Sequence, residues 1–234
     1  MQGVEDLPEI WGVGVPSTFP TAVYDNICGA IEGIAPRNEA LLEAGRGAWL
    51  AVGYRYLAVV GWDTEWRSLL AQQGLRPTPA VRLKQESAVF AFHMAAVAVV
   101  DSFCFAVYCL AANAQPKMEA AFRAKPHRID PPAVLEALKK FYPEEALTEA
   151  LVSLLSSPDW ERLTRLRNVL AHRSLPVRTF DDLSMLSAKW SLGSYGIETT
   201  AVDEGITTIP RAWLEDGLAA VSYTHLTLPT KRIV

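Results

Sequence analysis

From residue 21 onward the chain carries apolar stripes at helical spacing, broken at intervals by proline or glycine. Residues 21–34 read as a first helix. Residues 38–60 read as a second, with Asn38 placed to cap it and Leu41, Leu42, Trp49, Val52, Tyr56 and Val59 as its apolar positions. Asp63 is positioned to cap a separate short helix over 64–73, closed by Gly74. Pro77 and Pro79 mark a turn, and the longest helical run follows over 81–114, ended by Pro116. Shorter helices are predicted over 131–140, 143–156 and 158–173, each with a proline near its start, where the missing N–H costs nothing. Pro176 closes the last of them. Residues 1–20, with Pro8, Pro16 and Pro20, read as an irregular lead-in.

Past residue 178 the pattern changes. Gly193, Gly196 and Gly205 punctuate 181–209, and the alternating stretch 197–202 predicts a small hairpin or loop excursion. Residues 210–220 read as the beginning of another helix. There is no internal repeat and no glycine-rich phosphate loop. The fold class predicted is all-α: a bundle over 21–178, followed by a minor irregular or β element over 179–220.

Composition narrows the functional classes. The 234 residues are 50% hydrophobic and 21% charged, which suits a packed core and excludes a disordered or low-complexity chain. A formal net charge of -4 argues against non-specific coating of nucleic acid, which needs a broad basic surface, but leaves room for a local basic site. Cys28, Cys104 and Cys109 are odd in number, and two lie in an apolar stretch, so reduced, buried thiols are expected. Residues 1–20 lack the basic and apolar regions of a signal peptide, so the expected location is the cytoplasm.

Residues 88–112 are apolar apart from His93, Asp101 and Ser102, and are long enough to cross a bilayer. Asp101 at the centre would cost about 2.5–3.5 kcal/mol on insertion scales, and eight alanines dilute the hydrophobicity. A helix apolar all round is also what the centre of a soluble bundle requires, and that reading is preferred here.

The tail is of another kind. Residues 221–230 read in frame as a translation of the transposase adapter used in sequencing libraries, and Ala220 fits the adapter's preceding bases. Residues 221–234 are therefore set aside from fold and function, with His225 no candidate ligand, and the gene is expected to continue past residue 220. The tail's only charges are Lys231 and Arg232, so without it the formal charge falls from -4 to -6. Contact with a polyanion would then depend on one segment.

That segment is 162–178, where Arg162, Arg165, Arg167, Arg173, Arg178 and His172 gather with no acid among them. Leu163, Leu166 and Leu170 give its helix a core-facing stripe. Arg167 and His172, five positions apart, are separated by about 140° on an ideal helix. A frayed last turn before Pro176 would let His172 swing back toward Arg167. A solvated arginine face, with a helix-end histidine favoured by the macrodipole, stays open as the plain alternative.

The run from Leu166 to His172, with Arg167 followed by Asn168 and then by His172 four positions later, resembles the R-N-x-x-x-H signature of the HEPN superfamily (higher eukaryote and prokaryote nucleotide-binding). The context is similar too: the motif closes a late helix of an all-α domain, after a long apolar helix carrying an internal acid. The resemblance covers about residues 38–178. It implies a helical bundle that commonly homodimerises, bringing two motifs together across a cleft. It also implies a metal-independent endoribonuclease of the toxin–antitoxin, phage-defence or CRISPR kind, with RNA as substrate and an antitoxin or other protein as partner. Other such domains are inactive RNA-binding or interaction modules, and that alternative stays open.

On this resemblance His172 is the acid/base, a role suited to the imidazole as a residue type. Arg167 holds the scissile phosphate. Asn168 orients the imidazole or the phosphate, and Asp101 is a partner fixing Arg167. Arg162, Arg165 and Arg173 would contact RNA. No cofactor and no metal is called for. HEPN toxins paired with a nucleotidyltransferase antitoxin often carry tyrosine two positions after the histidine; Ser174 stands there instead, so that mode of regulation is not expected.

Other chemistry is thin. His93 and His127 lack the neighbours of a zinc site, and neither Ser87 nor Ser102 sits in a nucleophile elbow. The seven tryptophans are scattered, with Trp62 and Trp66 expected to pack a helix. A third reading, a membrane-associated helical protein, rests on 88–112 alone.

Overall fold

The computed structural model describes residues 9–10, 13–15, 19–35, 38–73, 77–172, 177–180, 188–192, 197–199 and 208–227. The protein is an all-α helical bundle with small β additions. Helices α1 (Thr21–Glu32), α2 (Glu39–Gln73) and α3 (Pro79–Ala114) are followed by α4 (Pro116–Ala124), α5 (Pro131–Phe141), α6 (Ala146–Leu155) and α7 (Pro158–His172). The last, α8, spans Thr208–Thr227 and so runs on into the adapter-like segment. Strands β1 (Glu9–Ile10) and β2 (Val13–Gly14) pair antiparallel within the lead-in predicted to be irregular. Strands β3 (Val177–Phe180), β4 (Ala188–Leu192) and β5 (Ile197–Thr199) form an antiparallel sheet in the excursion after α7, with Val177 opposite Ser191 and Leu192 opposite Ile197. Gly74, Pro176 and the three glycines of that excursion lie outside the described residues.

Local chemistry explains most boundaries. Proline opens α3, α4, α5 and α7. Asp130 caps α5 by accepting the Ala133 N–H at 2.9 Å, and Ser157 Oγ caps α7 by accepting the Trp160 N–H at 3.1 Å. Asn38 Oδ1 accepts from Leu41 N at the start of α2.

Three boundaries correct the sequence reading. The helices predicted over 38–60 and 64–73 are one continuous helix, because Asp63 does not cap; its side chain is buried and ion-paired instead. Pro116 ends α3 but at once begins α4, with Gln115 as its cap. Pro143 lies in a turn, and α6 starts only at Ala146.

The chain divides into two compact units: residues 1–54, 99–156 and 215–234, and residues 55–98 and 157–214. In the first, Trp49 ties three helices together. Its indole N–H donates to the Tyr24 carbonyl at 3.2 Å, its ring stacks on Tyr24 at 5.5 Å, and it meets Phe103 at 5.8 Å. Gly45 on α2 is needed for close approach to α3: a Cβ there would stand 3.0 Å from Cys109 Cβ. Tyr108 and Tyr142 donate hydroxyl hydrogens to the carbonyls of Met118 and Ala111, pinning α4 and α5 to this packing.

In the second unit the core is built on Tyr56, Val59, Trp66, Val89, Phe92, Val97, Leu163, Leu166 and Leu214, all buried. Trp66 packs as expected, whereas Trp62 is 40% exposed. Arg55 donates to the Ala98 carbonyl at 3.0 Å and Gln85 to that of Leu69 at 3.3 Å, linking α2 with α3. Helix α3 is the one described helix long and apolar enough to cross a membrane; 61% of its most apolar window is buried within the protein.

Candidate functional site

Helix α7 carries the motif, and its faces follow from 100° of turn per residue. Leu163, Leu166 and Val169 are buried on one side, with Leu170 packed against the last two. Arg162 sits at the margin of that side, half-buried, where its charge acts on the buried His93 of α3. The opposite side is open: Arg165, Asn168 and His172 are exposed, and Trp160, Thr164, Arg167 and Ala171 are half-buried. The helix is well founded at both ends. Ser157 caps it, Asp159 and Glu161 occupy its first turn and His172 its last, matching the sign of the dipole.

Arg167 and His172 are the two side chains that the motif resemblance singles out. The helix stays regular to His172, so the fray that would swing the histidine back does not occur among the described residues. The reason is the intact i to i−4 ladder, and the two side chains leave the axis about 140° apart. Arg167 is half-buried and its Nε is enclosed, with no hydrogen-bond partner among the described residues. A buried guanidinium N–H without an acceptor is costly. His172 is solvent-exposed.

The other expected residues divide. Asn168 is exposed on the same open side. Arg165 is exposed and engaged within the protein. Arg162 is turned toward the core side rather than the open one. Arg173 lies outside the described residues. Asp101 is half-buried on α3 in the first unit, where its charge and, more strongly, burial push the Cys104 thiol up; Arg167 belongs to the second unit.

Two polar residues were undervalued from sequence. His93 is wholly buried, with Nδ1 2.9 Å from the Val89 carbonyl, so that nitrogen carries the hydrogen and Nε2 faces inward as a lone pair. Burial, reinforced by Arg162, pushes its pKa down to about 4, and the imidazole is neutral near pH 7. Asp63 is also wholly buried, held by Arg67 and Arg211. The signal for both was present in a polar residue at a core position, but only tertiary packing names its partner. Among the described residues no three His, Cys, Asp or Glu side chains group to hold a metal ion. All three cysteines are free; Cys104 and Cys109 are buried and Cys28 only half so.

No protein family, curated protein or solved structure matches the chain.

Proposed function

We propose that the chain is a HEPN-like, metal-independent endoribonuclease of defence or toxin type, in which Arg167 binds the scissile phosphate and His172 moves the proton. One observation carries the reading: the R-N-x-x-x-H motif ends a capped helix of an all-α bundle, with the arginine Nε enclosed and without a hydrogen-bond partner among the described residues, and the histidine open to solvent. In the reaction His172 takes the proton of a ribose 2′-OH, whose oxygen then attacks the adjacent phosphorus. The bond to the 5′ oxygen breaks, that oxygen leaves with a proton from water, and a 2′,3′-cyclic phosphate remains. Arg167 neutralises the charge that grows on the phosphate oxygens. The wide angle between the two side chains favours action on a substrate laid across the helix, or a homodimer that sets two motifs together.

The test uses purified protein and His172→Ala with single-stranded RNA in EDTA. Cleavage to 2′,3′-cyclic phosphate ends, lost in the variant, is the expected result. RNA left intact at micromolar protein sinks the enzymatic reading. Binding without cleavage then selects the second, a non-catalytic RNA-binding module. The third reading, a membrane-associated protein, fails if the protein fractionates without detergent; the burial of most of the apolar window of α3 argues for its core role.

A further inference from the structure

The open side of α7 is a strip with defined edges. Taking Trp160 as zero, 100° per residue places Arg167 at about −20°, Ala171 at about 20°, Thr164 at about 40°, Asn168 at about 80°, His172 at about 120° and Arg165 at about 140°. Arg167 therefore forms one edge, and His172 with Arg165 the other. Between them lie the small side chains of Ala171 and Thr164 and the exposed amide of Asn168. Thr164 donates its hydroxyl hydrogen to the Trp160 carbonyl at 2.8 Å. At the foot of the strip stands Trp160, stacked on Trp213 of α8 with ring centroids 6.1 Å apart and planes 25° apart. Both rings are half-buried, so each keeps some surface open to solvent.

Charge runs along the strip. The motif end holds Arg165, Arg167 and His172, whereas the Trp160 end lies beside Asp159 and Glu161, in the first turn of the helix. A phosphate is attracted to the first end and repelled from the second. The uncharged, flat base, rather than the backbone phosphate, is the part of a strand that suits the second end, where the solvent-open part of the indole pair can meet it. Trp160 lies about 10 Å along the axis from Arg167 and about 18 Å from His172, a span of a few nucleotides of extended strand.

We propose that the Trp160–Trp213 pair is a base-stacking subsite for single-stranded RNA, receiving a nucleobase a few nucleotides from the phosphate held at Arg167. This rests on the RNase reading and adds to it a requirement for an unpaired base, since a base inside a duplex has no free face to stack.

The experiment measures binding of fluorescein-labelled oligoadenylate 12-mer and of an abasic ribose-phosphate 12-mer, using His172→Ala protein so that nothing is cleaved. The abasic strand is expected to bind about tenfold more weakly, the scale of one base–aromatic stack. Trp160→Leu should weaken oligoadenylate binding by about the same factor, leave the abasic strand unchanged, and be rescued by Trp160→Phe. Circular dichroism verifies that the variants fold, and the comparison of the two strands on tryptophan-intact protein does not depend on them. Equal affinity for the two strands overturns the subsite. So does a Trp160→Leu loss of the same size for both, which marks Trp160 as a packing residue. If His172-dependent cleavage is present but indifferent to Trp160→Leu, the subsite falls and the RNase stands. If the protein binds no RNA at all, both fall.

Discussion

Asp63 Oδ2 accepts a hydrogen bond from Arg211 at 2.8 Å across 148 residues of chain, while its Oδ1 takes Arg67 at 3.0 Å one helical turn away. The carboxylate is wholly buried, and Arg211 is the less exposed of its two cations. This pair fastens the first turn of α8 to α2 within the second unit. Arg211→Ala leaves a buried carboxylate short of a partner and is expected to destabilise by about 1–3 kcal/mol. Arg67→Ala, at a half-exposed cation, should cost less. Urea unfolding of the two variants decides it; equal and negligible losses would mean that α8 is held by packing alone.

His93 makes the fold sensitive to acid. Its pKa in the folded protein, pushed down to about 4, lies below the value of about 6.5 it takes when unfolded. Between those values the unfolded chain binds a proton that the folded one refuses, so stability falls as pH drops from about 6.5 to about 4 and levels off below. His93→Leu should flatten that segment of a stability-versus-pH curve, whatever it does to stability at pH 7. An unchanged slope would remove His93 as its source.

The glycines of α2 should part company. At Gly47 a Cβ meets nothing within 4 Å, so Gly47→Ala gains helix propensity of about 0.5–1 kcal/mol. At Gly45 a Cβ would press on Cys109 Cβ at 3.0 Å, an atom fixed to the α3 backbone. The same substitution there is expected to lose about 1–3 kcal/mol to overpacking, cancelling the gain or outweighing it. Thermal melts of both variants measure this directly.

Within the motif, His172→Ala and Arg167→Ala are expected to lower RNA cleavage at least a hundredfold, the scale of acid/base and oxyanion contributions. Arg167→Lys should not restore it, because an ammonium cannot offer the fork of donors. Asn168→Ala and Arg165→Ala should act more weakly, through orientation and affinity. Single-turnover cleavage assays separate the two groups; an Arg167→Lys variant as active as the parent would assign Arg167 a purely electrostatic role.

The thiols should be inert in the native state. Burial pushes Cys104 and Cys109 up, the latter to about 12, and raises half-buried Cys28 as well. Alkylation near pH 7 is therefore expected to be slow at all three and to accelerate on unfolding, with Cys28 first. Rapid native labelling of Cys104 would contradict its place in the core.

By itself the sequence determined the all-α class, most of the helices and the one basic segment. Apolar periodicity, proline at first positions, and Asn38 as a cap are local signals, and each acts within one turn of backbone. The motif on α7 is equally local, since three residue types at fixed spacing are legible without any partner. What lay beyond it was anything needing a second segment. Asp63 reads as a cap beside Trp62 and Thr64, but it is a buried carboxylate held by Arg67 one turn away and by Arg211 arriving from α8. Trp160 and Trp213 look scattered until α7 and α8 stack them. A carboxylate or an indole satisfies its polar or apolar needs wherever packing places a partner, and no spacing along the chain encodes that choice.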